Sequence, residues 1–135
     1  MTESTESWRV RQVEDSPSSI LEGFTLYRVL EDSRMSGIGC EFVTINSGKV
    51  LQPHVHKIAH AIILVISGSG YVWLDGVQYP IKKRSIINIP PGVVHGLESV
   101  DEDLVVYGFQ SPAIIKDNIN VDIFFTEDNR QGTIS

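Results

Sequence analysis

The chain has 135 residues, 41% hydrophobic and 21% charged, with a formal net charge of −6. That length suits one domain with a real core and leaves no room for a second, and no apolar run approaches the roughly 18–20 residues of a bilayer span. The acidic balance argues against a nucleic-acid partner, whose affinity comes largely from Lys and Arg neutralising phosphates, so the expectation is a globular protein with neither membrane nor nucleic acid as partner.

Residues 1–20 are rich in Ser, Thr and Glu and lack apolar periodicity. We read them as a flexible N-terminal arm, with residues 21–135 as a single domain whose first strand starts near Phe24. The start "MTESTESWRV" has neither a positive cluster nor an apolar signal core, so the cytoplasm is the expected compartment. From Phe24 onward come "FTLYRVL", "GCEFVTI", "HAIILVI", "GYVWL", "SIINI", "VVHGL", "DLVVYGF" and "VDIFF", short β-prone runs separated by Gly, Pro, Asn, Asp or Ser. Their spacing and their Val, Ile, Tyr and Phe content predict an all-β sandwich or barrel rather than alternating strands and helices. The lone Cys40 cannot form an internal disulfide, which agrees with a reducing compartment, and its apolar neighbours make it a core residue rather than a nucleophile.

Asp75-Gly76 between two β-prone runs supplies the positive φ angles of a tight hairpin. Lys82, Lys83 and Arg84 read as a solvated face. Pro90-Pro91-Gly92 withdraws backbone donors and ends the run "SIINI".

The chemistry lies in the histidines. His54, His56 and His60 fall within seven residues and His95 follows the Pro-Pro-Gly break. Side chains two apart on a strand share a face, so His54 and His56 point the same way. The same parity extends to His60 unless a turn between Lys57 and Ala59 changes the phase. His95 joins them if its strand folds back beside the first. Imidazole is a common ligand for first-row metals, and two histidines at i and i+2 with a third arriving after a turn give a facial set.

These residues resemble the cupins. Gly48, His54, His56 and Gly68 match the first motif of that family, and Pro90, Gly92 and His95 match the second. The resemblance covers about residues 24–126 and implies a double-stranded β-helix, or jelly-roll, barrel with a metal held by His54, His56 and His95. Three positions depart from the pattern. The motif glutamate is absent, the glycine opening the second motif is Arg84, and the asparagine closing it is Ser99. At the glutamate, one spacing puts Ala61 in its place and leaves three histidines, as in cupins of dioxygenase type that act on thiols, β-diketones or gentisate. The other puts His60 there as a fourth ligand, as in small four-histidine cupins. We favour His60, because a polar ring in the run "IAHAIILVI" otherwise lacks an evident partner.

An all-histidine site leaves a divalent ion its full +2 charge and favours anionic, chelating ligands. Mn, Fe, Co, Ni, Cu and Zn all suit imidazole. Two reaction types follow: oxygen chemistry of dioxygenase type on a small organic molecule, and Lewis-acid isomerase or lyase chemistry. A non-catalytic module for binding or sensing a small ligand is a third reading. Glu41, Gln52 and Tyr107 are the candidate proton-handling residues, none of them marked by its surroundings, which tilts the balance toward oxygen chemistry. Phe42, Trp73, Tyr107 and Phe109 are candidates for the cavity wall, with core or interface roles the more ordinary expectation. The resemblance also implies a homodimer, with Phe124 and Phe125 on an exposed edge that invites pairing. From free imidazole, metal release is expected as pH falls through roughly 6.

Overall fold

The computed structural model describes residues 10–30, 37–117 and 119–126. Among these, a 3-10 turn at Val13–Asp15 is followed only by strands: β1 (Ser18–Leu21), β2 (Phe24–Leu30), β3 (Gly39–Ile45), β4 (Val50–Val55), β5 (His60–Ser67), β6 (Ser69–Leu74) and β7 (Val77–Lys82). After them come β8 (Ile86–Ile89), β9 (His95–Ser99), β10 (Leu104–Ser111), β11 (Ile115–Lys116), β12 (Ile119–Asn120) and β13 (Phe124–Phe125). One sheet runs β1-β2-β3-β10-β5-β8, the other β13-β4-β9-β6-β7, and β11 pairs with β12 alone. Every pairing is antiparallel. The predicted hairpin joins β6 to β7, with Asp75 at φ 51° and Gly76 at φ 82°.

Period-two alternation fixes which side chains enter the core. In the six-stranded sheet Val43, Val106 and Val65 stand side by side across β3, β10 and β5, all buried. Leu97 of β9, Val72 of β6 and Ile81 of β7 meet them from the five-stranded sheet as part of one continuous apolar cluster. Toward one end of the barrel small and polar residues enter the inward layers. Glu41, Gly108 and Ile63 form one row, and Gly39, Gln110 and Ala61 the next. A methyl group at Gly39 would sit 2.6 Å from Gln110 Oε1, so the glycine is what lets that amide turn into the interior.

The sheet begins earlier than Phe24. β1 pairs with β2 from Ser18↔Tyr27 to Leu21↔Phe24, and Ser16 and Ser19 are buried. Composition hid this segment because two of its serines have work inside: in β1 Ser19 Oγ accepts a 2.6 Å hydrogen bond from Arg28 Nη1, and just before the strand Ser16 Oγ accepts one of 2.6 Å from Arg11 Nη1. The remainder of the expected arm, residues 1–9, lies outside the described residues. Cys40 is buried, and burial, reinforced by the neighbouring Glu41, pushes its thiol up to about 12, which suits a core residue. No helix among the described residues is long and apolar enough to cross a membrane.

Candidate metal centre

β4 carries His54 inward and β9 starts at His95, and the two are direct cross-strand partners. A register shift between Leu51 and His54, the span that holds Pro53, interrupts the ladder just before the histidine; proline is tolerated in sheets at such irregularities. His56 follows the end of β4 on the same face. The route to His95 is set by Gly92, whose φ of 85° is the left-handed conformation glycine adopts at little cost and whose N–H donates to His56 O at 2.8 Å.

The three rings form a tight group. Their centroids are 4.3 Å apart for His54 and His95, 4.9 Å for His56 and His95, and 5.2 Å for His54 and His56. One ligand nitrogen from each lies within 4.8 Å of the others. Each ring uses Nδ1 on a main-chain carbonyl: His54 on Gln52 O at 2.8 Å, His56 on Asp122 O at 2.8 Å, and His95 on Val93 O at 3.0 Å. A carbonyl only accepts, so each Nδ1 carries the proton and each Nε2 keeps its lone pair. Such a hydrogen bond on the second nitrogen is what orients metal-binding histidines. All three are buried. Desolvation lowers the pKa of each: His54 well below its ordinary value, with the like charges of His95 and His56 adding, His56 less strongly, and His95 to about 4. Three neutral, oriented, converging nitrogens fit a divalent transition metal.

His60 is not part of this group. It opens β5 opposite Ser111 and faces solvent, while Ala61 points inward and lines the cavity. The expectation that His60 joins the set is therefore corrected: the converging group is His54, His56 and His95. Parity cannot be carried through Lys57-Ile58-Ala59, because the turn there buries Ala59 and shifts the phase by one residue. The other two motif departures also have physical accounts. Arg84 has φ 77°, so the backbone keeps the glycine-type conformation although the residue differs. Ser99 closes the motif by donating its hydroxyl to Asn46 O and accepting from Lys49 N at 3.3 Å.

The cavity in front of the histidines holds about 70 Å³, room for several water-sized groups. Its lining is apolar apart from the three histidines, Glu41 and Gln110. Gln110 Nε2 donates to Glu41 Oε1 at 2.5 Å, and Gln110 Oε1 has no hydrogen-bond partner among the described residues. Of the candidate proton-handling residues, Glu41 thus faces the site. Gln52 is exposed and contributes only its carbonyl. Tyr107 stands on the outer face, edge-on to Phe42 at 4.9 Å and stacked on Phe109 at 5.9 Å. Trp73 donates to Glu98 Oε1 at 3.0 Å and does not line the cavity, whereas Phe125 does. The basic run Lys82, Lys83 and Arg84 is exposed.

Comparison with known proteins agrees with this architecture. Residues 41–107 match the family model described as a cupin domain. A segment of 77 residues is 35% identical to quercetin 2,3-dioxygenase of Bacillus subtilis (strain 168), covering 56% of this chain but only 23% of that protein. Among solved structures, a double-stranded β-helix protein from Klebsiella pneumoniae superposes with a TM-score of 0.71 over 90% of this chain and 99% of that one, at 20% identity. Salicylate 1,2-dioxygenase from Pseudaminobacter salicylatoxidans gives 0.63 over 73% and 29%, also at 20% identity. The fold, the family match and the histidine motif place the chain in the cupin superfamily.

Proposed function

We propose that this cupin is a metal-dependent oxidoreductase of dioxygenase type acting on a small organic molecule. The observation that carries the reading is the buried triad of Nε2 lone pairs facing a largely apolar cavity with one carboxylate in its wall. The 35% identity to a dioxygenase over 77 residues supports it. His54, His56 and His95 would hold the ion. Bound there, a redox-active divalent ion supplies a +2 charge, open positions for an anionic substrate and a route for electrons from that substrate to dioxygen.

The chain's own residues do the rest. The apolar lining excludes bulk water and strengthens every electrostatic interaction inside. Glu41 accepts the proton of a substrate hydroxyl as it becomes an anion. Gln110 fixes the carboxylate in place, and its Oε1 offers an acceptor to a substrate donor. The limited volume favours a compact substrate.

The test is oxygen uptake by protein loaded separately with Mn, Fe, Co, Ni or Cu and offered phenols, enols, β-diketones and thiols. Metal-dependent uptake with one class is the expected result, and none with any would overturn the assignment. Glu41→Gln should keep its metal and lose about 10²–10⁴-fold in turnover. Glu41 also supports a second reading, Lewis-acid isomerase or lyase chemistry, since it stands in the cavity as a protein acid or base. Conversion of an α-hydroxy or keto acid without oxygen consumption would select that reading.

The same proposal takes the protein as a homodimer. Tyr27, Phe42, Tyr107, Leu64 and Ile86 lie in register across five strands of the outer face, and β13 with Phe124 and Phe125 forms the edge of its sheet. A monomeric mass at micromolar concentration would remove this element.

A further inference from the structure

The turn that separates His56 from His60 is held by a residue more than sixty positions away. Asp122 is buried between β12 and β13, in a strap whose backbone is tied down from both sides. Val121 and Asp122 donate to Ile114 O at 2.9 and 3.2 Å, and Asn120 and Ile123 exchange hydrogen bonds of 2.9 and 3.1 Å. The Asp122 carboxylate accepts three successive main-chain N–H groups: Lys57 on Oδ1 at 2.8 Å, and Ile58 and Ala59 on Oδ2 at 3.1 and 2.9 Å. Its carbonyl accepts from His56 Nδ1 at 2.8 Å. One residue therefore fixes both the turn and the tautomer of a ligand.

A carboxylate taking several backbone donors is a strong, charge-assisted anchor. Here the anchored N–H groups are the ones whose arrangement adds one residue to the strand phase, burying Ala59 and turning Ala61 inward and His60 outward. We propose that Asp122 is a positioning residue of the metal centre. By clamping residues 57–59 it sets which side chain of β5 faces the ion, and by holding its own carbonyl beneath His56 it keeps Nε2 free. This role rests on the reading of the triad as a metal site. Docking of the strap and assembly of the centre are then one event, since Ile123 and Phe125 of the same segment line the cavity.

Two readouts test it. In the metal-free protein, long-range proton–nitrogen NMR spectra should show His56 as the single Nδ1–H tautomer; Asp122→Ala keeps the carbonyl but frees residues 57–59 from the strap, so His56 leaves that acceptor and both tautomers should appear. Titration with cobalt(II), followed in the visible spectrum, should give Asp122→Ala an affinity about 10–100-fold weaker, the cost typical of losing an outer-shell partner. Ile115→Val, which trims the core under the same strap, should lower the melting temperature and leave tautomer and affinity as in the wild type. If Asp122→Ala fails to fold, Asp122→Asn, which keeps one acceptor oxygen, should show the same changes to a smaller degree. Wild-type tautomer and wild-type affinity in whichever Asp122 variant folds would overturn the proposal. So would affinity losses that track stability equally in the Asp122 and Ile115 variants. A wild-type protein that binds no divalent ion would instead overturn the metal reading, and this role with it.

Discussion

The two walls of the cavity are built on opposite principles. The wall from β4 and β9 carries its chemistry in residue type: three histidines, each oriented by a carbonyl of the main chain. The facing wall from β3, β5 and β10 works through subtraction. Gly39, Gly108 and Ala61 stand where larger side chains would fill the barrel, and the space they leave admits Glu41 and Gln110. A ligand set can thus be recognised residue by residue, whereas a cavity is recognised only once strands are in register.

The sharpest way to break the ligand wall is His54→Ala or His95→Ala. Each should abolish tight metal binding, with metal content measured after equilibrium dialysis. Two remaining imidazoles no longer form a facial set, and an ordinary content in either variant would dismiss the centre. On the facing wall, Ala61→Glu would restore a carboxylate at the inward position of β5. Burying it opposite neutral histidines should cost the metal-free protein about 3–5 kcal/mol. Metal should recover that stability, and chemical unfolding with and without metal measures both effects.

The third prediction concerns pH and compares the buried histidines with free imidazole. With pKa values lowered in the folded state, the triad binds fewer protons folded than unfolded. The metal-free protein is therefore most stable above about 6.5 and loses stability as pH falls toward about 4, where His95 protonates in place. From His95 alone the loss is about 3 kcal/mol, read from unfolding curves across that window. The expected metal release near pH 6 shifts with it. Burial suppresses protonation of the free site, so release moves to more acidic solution. The smallest effect belongs to His60→Ala, outside both walls, which should change metal affinity by less than about twofold; a tenfold loss would return His60 to the centre.

Much of this was legible in the sequence. The β-rich runs with their turn residues gave the strands, Asp75-Gly76 gave the hairpin, and His-x-His with Pro-x-Gly-x-x-His gave the three histidines that converge. What escaped were effects that act across the fold. Glu41 sits in an apolar run like any strand residue, and only its row with Gly108 shows why a carboxylate fits there. The placement of His60 depended on a turn whose geometry Asp122 enforces from the far end of the chain. β1 falls inside the expected arm because serine there does not mean solvent exposure: Ser19 is buried and accepts from Arg28.

All three converging rings donate to main-chain carbonyls rather than to side chains. No substitution elsewhere in the cavity removes those acceptors. Holding an ion and choosing the guest would consequently be separable inheritances: descendants of this barrel could exchange Glu41 or Gln110 and acquire a new appetite while the three imidazoles keep their bearing.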